Sequence, residues 1–173
     1  MSNIFFYGLK SVGKSTWGKR LAHKLKRPFI DSDKEVENAF EKQKGYPLSC
    51  REIFNQFGEL FFRNLEKEVI AELVKHQNTI IALGGGSLLN QKNWDEIKEA
   101  GLFFYLHLEK WALEKRLFKT PLPFFITKET FDQYYQEQTK LYRSLSSIHI
   151  DLTTLSDEMI IKKIIKRVLE NGK

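Results

Sequence analysis

Five short stretches in which almost every position is apolar punctuate the chain, at residues 4–7, 28–30, 79–83, 102–108 and 148–150. Runs without alternation suit strands buried on both faces, because both sides of the pleat then meet hydrocarbon. Between them apolar positions recur at helical spacing, over 14–26, 33–44, 59–76, 91–100 and 109–118, with 128–145 and 157–170 flanking the last run. Leu65, Val69 and Leu73, at i, i+4 and i+8, predict one buried helical stripe, and Ile160, Ile164 and Leu169 approximate a second. Strand alternating with helix predicts an α/β fold in three layers: a five-stranded parallel sheet, helices on both faces and right-handed crossovers. No repeat or low-complexity linker interrupts the pattern, so residues 1–173 read as one domain. Connections are short except at 119–127, where Pro121 and Pro123 forbid regular helix. A long irregular loop in a compact domain is a candidate lid.

Charge and composition narrow the partners. The formal net charge is +6, but the basic residues are scattered among 22 acidic ones with no basic tract. Without such a tract no nucleic-acid partner is expected, and an anionic small substrate explains the excess equally well. Cys50 is the only cysteine, so no disulfide forms within the chain and a reducing, cytoplasmic setting is expected. The first apolar segment, about four residues long, falls far short of the roughly 20 that span a bilayer, so no membrane partner is expected.

The first strand runs into Gly8-Leu9-Lys10-Ser11-Val12-Gly13-Lys14-Ser15, and a helical pattern follows. This G-x-x-x-x-G-K-S spacing in a strand–loop–helix context is a phosphate-binding P-loop, in which glycines let the backbone curl so that N–H groups and the helix N-terminus face phosphate oxygens. The expected nucleotide-binding set is Gly8, Lys10, Ser11, Val12, Gly13, Lys14, Ser15 and Thr16. Lys14 would reach the β- and γ-phosphates of ATP and Ser15 would ligate Mg²⁺.

Ligands of open α/β sheets bind beyond the carboxyl ends of the strands, which makes the residues there informative. After the second run come Asp31-Ser32-Asp33, two carboxylates of which one could hold Mg²⁺ through water and the other accept a proton from a substrate hydroxyl. An Asp at a strand–helix junction also serves as an N-cap, a bland role open to Asp33. After the third run come Gly84-Gly85-Gly86, where absent side chains let a ligand lie against backbone N–H groups. Arg63 and Glu66 share a helix face at i, i+3; beside Phe61 and Phe62 they suggest a partly desolvated site in which an arginine fork could grip a carboxylate.

Taken together, the P-loop, Phe29-Ile30-Asp31-Ser32-Asp33, the set Ile53-Phe54, Gly58-Glu59, Phe62-Arg63 and Glu66, and Gly84-Gly85-Gly86 make the chain resemble shikimate kinase over essentially its whole length. The resemblance implies a single P-loop kinase domain related to nucleoside monophosphate kinases, with a substrate-binding helical segment at about 33–66 and a short lid at about 118–127. It implies transfer of the ATP γ-phosphate to the 3-hydroxyl of shikimate, in aromatic amino-acid synthesis, by a cytoplasmic monomer. Matching positions imply Lys14 and Asp33 as catalytic, Ser15 and Asp31 as the metal site, and Asp33, Arg63 and Gly84–Gly86 as the shikimate site with Glu66 in support. Arg116 falls where the family places an arginine near adenine, and 151–156 matches the adenine-side loop loosely.

Two cations of the family pattern are absent. Thr120 stands at the lid arginine, and Gln138, three residues before Leu141-Tyr142, stands at a second arginine that helps bind the substrate carboxylate. Lys119, one residue before Thr120, is the expected surviving lid cation and a third catalytic candidate, since a lysine can act on phosphate as a point charge. One helical turn from Gln138 lie Tyr134, Tyr135, Leu141 and Tyr142, none of them cationic. Two other readings accommodate these departures: a metabolite kinase of the gluconate type, or a kinase fold that binds nucleotide without catalysis.

Overall fold

The apolar runs become five parallel strands in the computed structural model, which describes residues 2–119, 127, 129–146 and 148–171. They are β1 (Asn3–Tyr7), β2 (Phe29–Asp31), β3 (Ile80–Ala82), β4 (Gly101–His107) and β5 (His149–Asp151), ordered β2-β3-β1-β4-β5. The chain leaves β1 for the edge strand β2, returns to β3 beside β1, then crosses to β4 on the other flank. The loop after β1 therefore lies where the strand order reverses, the usual ligand position of such sheets.

Every residue of β1 is buried, and its aromatic side chains carry the sheet into the helical layers. Phe5 stacks on Phe103 with ring centroids 4.6 Å apart, and Tyr7 meets Tyr142 edge to face. Asn3 is the polar exception, and its amide is satisfied twice: it donates to the His76 carbonyl at 2.6 Å and accepts from Thr79 N–H at 3.0 Å. Buried polar groups bonded at both donor and acceptor in this way fix register while offsetting their desolvation cost.

The helices are α1 (Lys14–Leu25), α2 (Ser32–Lys44), α3 (Cys50–Leu73), α4 (Gln91–Ile97), α5 (Lys110–Leu117), α6 (Phe131–Leu145) and α7 (Asp157–Asn171), with a 3₁₀ turn at Ser87–Leu89. Helix α3 starts well before the expected 59, because Ser49 and Glu52 form a reciprocal capping box. Gly58, at φ 81°, breaks it internally. In α7, Ile160 and Ile164 are buried but Leu169 is 74% exposed, so the second predicted stripe ends differently. Position 169 lies nine residues from 160, about half a turn off that face at roughly 100° per residue, and the partly buried Val168 completes the stripe. The candidate lid lies mostly outside the described residues, Thr120 included.

Candidate active site

The loop after β1 has the backbone its sequence demands. Gly8 and Gly13 have φ of 141° and 111°, and a Cβ on Gly8 would strike the Leu106 carbonyl. Gly13 is the N-cap of α1, offers no capping side chain, and no acidic residue follows in the first turn. The first N–H groups of α1 are thus left to an anion, which the helix dipole also favours. Lys14 is only 8% exposed, and its Nζ donates to the carbonyls of Gly8 at 2.9 Å and Leu9 at 3.0 Å. Burial lowers its pKa to about 8, against the pull of Asp33 and Asp31.

Asp31 does two things. Its Oδ2 accepts from the Ser15 hydroxyl at 2.5 Å, and its Oδ1 accepts from Asp33 N–H at 3.2 Å, capping α2. The helix cap is therefore Asp31, and Asp33, already inside α2, turns its carboxylate to the cleft. There Asp33 Oδ1 lies so close to Gly84 that a Cβ on that glycine would collide with it. Desolvation by the cleft walls raises Asp33 to about 6; Lys14 lowers it, while Asp31 and Glu66 push it up.

The Arg63–Glu66 pair is well shielded. Glu66 is 4% exposed; it accepts from Arg63 Nη1 at 2.9 Å and from the Ser87 hydroxyl at 2.8 Å. The Asn93 amide donates to the Ser87 carbonyl at 2.8 Å, so one buried chain of hydrogen bonds orients the guanidinium and the turn after β3. A Cβ on Gly86 would stand 3.4 Å from Arg63 Nη1, and one on Gly85 3.1 Å from Lys10 N. Bare backbone therefore faces the cleft between the Arg63 guanidinium and the Lys10 main chain.

These groups line one cleft of about 360 Å³: Lys10, Ser11, Gly13, Lys14, Ser15, Thr16, Asp31, Asp33, Arg63, Glu66, Gly85 and Gly86. Gly8 and Val12 lie buried in the inner turn, and Gly84 sits behind Asp33, its N–H donating to the Ser32 hydroxyl at 2.8 Å. Arg116 and Lys119 stand elsewhere, on a second recess of about 310 Å³ with Leu108, Trp111, Leu152 and Thr153. The Glu109 N–H donates to the Thr153 hydroxyl at 2.8 Å, tying together the loops after β4 and β5. Arg116 links the recess to the P-loop, donating to the Val12 carbonyl at 3.3 Å. Lys119 thus lines the second recess, whereas Lys14 and Asp33 line the first.

Cys50, Arg51, Phe62 and Tyr134 also line the cleft. Arg51 and Tyr134 have no sequence assignment, although Tyr134 shares a helical face with Gln138. Burial pushes the Cys50 thiol well above its ordinary pKa, which keeps it an unreactive wall.

A divalent cation fits here as a partner of phosphate. Ser15 and Asp31 offer hard oxygen donors at the P-loop, the ligand type Mg²⁺ takes, and the described residues hold no group of three or more His, Cys, Asp or Glu that would make a closed protein cage. Nor is any helix among them long and apolar enough to cross a membrane.

The family model for shikimate kinase matches residues 10–169. A shikimate kinase of Thermodesulfovibrio yellowstonii is 34% identical, with 100% of this chain and 99% of that protein covered. The solved shikimate kinase of Acinetobacter baumannii, in complex with shikimate, superposes with a TM-score of 0.83 at 28% identity, covering 99% of this chain and 94% of that one. A gluconokinase from Sinorhizobium meliloti is more distant, at a TM-score of 0.58 and 18% identity over 99% and 95% of the two chains. That likeness reaches the fold alone.

Proposed function

The chain belongs to the shikimate kinase family, a family of ATP-dependent kinases, and we propose that its own reaction is transfer of the ATP γ-phosphoryl group to the 3-hydroxyl of shikimate. The observation that carries this reading is convergence. A phosphate loop, a carboxylate with its pKa raised to about 6, and a guanidinium beside bare glycine backbone line one cleft.

Lys14 exchanges the Gly8 and Leu9 carbonyls for phosphate oxygens, and the N–H groups opening α1 bind the same anion. Ser15 and Asp31 would hold Mg²⁺, which when bound neutralises phosphate charge. Asp33 accepts the proton of the attacking hydroxyl at its carboxylate, a transfer matched to neutral pH by its raised pKa. Arg63, oriented by Glu66 and Ser87, grips the shikimate carboxylate with its fork, while Gly85 and Gly86 let the ring lie against the main chain. Arg116 borders the adenine in the second recess, and Lys119, at the root of the lid, supplies the nucleotide side with a cation. One chain supplies all these groups, which supports a monomer; a single cysteine and ATP as donor support the cytoplasm.

Two consequences are measurable. The pH profile of kcat/KM should fall below about pH 6, where Asp33 holds its proton and cannot accept another, and again above about pH 8, where free Lys14 loses its charge. A profile flat from pH 5 to 9 would contradict both roles. Arg63→Lys keeps a charge beside Glu66 but loses the fork. It should raise KM for shikimate about tenfold and leave KM for ATP in place; equal rises in both would remove Arg63 from the acceptor site. ³¹P NMR of the product tests the reaction itself: phosphate on the 3-hydroxyl is expected, and phosphate elsewhere, or none on shikimate, overturns the proposal.

A further inference from the structure

We infer that Arg51, at the start of α3, is a specificity-determining cation of the acceptor site, supplying the charge that balances the acceptor's carboxylate. This rests on the reading of the cleft as a shikimate site and deepens it.

Four cations line the cleft among the described residues: Lys10 and Lys14 in the phosphate loop, and Arg51 and Arg63 on α3. Arg63 is already paired within its own helix. Its Nη1 stands 2.9 Å from Glu66 and its Nε 3.5 Å from Glu59, so a substrate carboxylate becomes the third anion around one guanidinium. Repulsion between like charges grows as water is excluded from a cleft, and a further cation offsets it. Helix α6 brings none. It contributes Tyr134 to the lining, and Gln138, one turn on, is uncharged, with its Oε1 buried and without a hydrogen-bond partner among the described residues.

Arg51 is the cation left over. Among the described residues its guanidinium makes no hydrogen bond and no ion pair, although it lines the cleft. Stability alone does not favour its position. Arg51 is the second residue of α3, where the N–H groups of the opening turn concentrate positive charge and an acidic side chain would be the stabilising choice. The main chain beside it is held against that of the proposed base: Cys50 Sγ donates to the Asp33 carbonyl at 3.3 Å, and Cys50 N–H donates to Glu37 Oε1 at 3.2 Å. Phe54 and Phe62, with ring centroids 6.0 Å apart, join the two parts of α3 across the break at Gly58. An arginine with no carboxylate of its own, on the helix that carries Arg63 and next to the residue that holds the Asp33 backbone, is placed to draw in an anionic acceptor.

The test is steady-state kinetics of wild type, Arg51→Gln and Arg51→Lys, with inhibition constants for the neutral methyl ester of shikimate. Arg51→Gln should raise KM for shikimate about fivefold, the scale of one solvent-exposed ion pair, while KM for ATP and the inhibition constant of the ester stay in place. Arg51→Lys, which keeps the charge, should lose less. An unchanged KM for shikimate in Arg51→Gln, an equal loss with the ester, or a parallel rise in KM for ATP overturns the assignment, and so does a loss in Arg51→Lys as large as that in Arg51→Gln. A wild type indifferent to shikimate overturns the parent reading with it, whereas a shikimate-dependent wild type with an unaffected Arg51→Gln overturns this inference alone.

Discussion

Lys14→Met should lose at least ~10³-fold in turnover while remaining folded. The size follows from the chemistry: phosphoryl transfer is catalysed by positioning and charge stabilisation, and deleting one well-placed charge on the transferring group costs on the order of 10³ or more. The intact fold follows from the contacts. Among the described residues the Nζ bonds only to two carbonyls of its own loop, Gly8 and Leu9, so the substitution breaks no link between described elements. Methionine matches lysine in length and burial suits it, which offsets much of the loss of those two bonds. Calorimetric titration with Mg·ATP, circular dichroism and turnover separate the cases. Undiminished turnover would remove the P-loop assignment, and unfolding would give Lys14 a structural role that its contacts do not show.

Asp33→Asn should lower kcat by ~10²–10⁴, the range for loss of a positioned general base. Asparagine keeps the shape and can still hydrogen-bond the acceptor hydroxyl, so KM for shikimate should move little. The fold should tolerate the change well, because burial above all, with Asp31 and Glu66 beside it, favours the neutral form of the Asp33 side chain over the opposing pull of Lys14. The variant should also lose the acid limb near pH 6. If kcat falls but the limb remains, another group carries it and Asp33 only orients the acceptor.

The site was legible in the sequence where chemistry depends on local spacing. Gly8 to Ser15 must curl as they do because a Cβ on Gly8 would strike Leu106, and the alternating carboxylates Asp31 and Asp33 follow a strand end whose place beside the P-loop the α/β order implies. The fold was legible for a related reason: an unbroken run as short as Ile4–Tyr7, closed by Gly8, suits a strand buried on both faces and is too short for a buried helix. Contacts made over long separations were hidden. Which aspartate caps α2 depends on Ser15 taking one oxygen of Asp31, and Arg51 enters the cleft only because the Ser49–Glu52 box starts α3 earlier than the apolar pattern indicates. Tyr134, which lines the cleft from α6, left a trace in its spacing with Gln138 and Tyr142 at i, i+4 and i+8. That Lys119 lines the second recess was invisible for the same reason, since nothing in a proline-bearing loop states which recess its root borders.

ADP release at saturating Mg·ATP, measured with shikimate, gluconate and nucleoside monophosphates in turn, tests the central claim most directly. A site built around a fork for a carboxylate and a base for one ring hydroxyl predicts shikimate-dependent release with kcat/KM about a hundredfold or more above the other acceptors. Release driven equally well by gluconate or a nucleotide, or unmoved by shikimate, would contradict it.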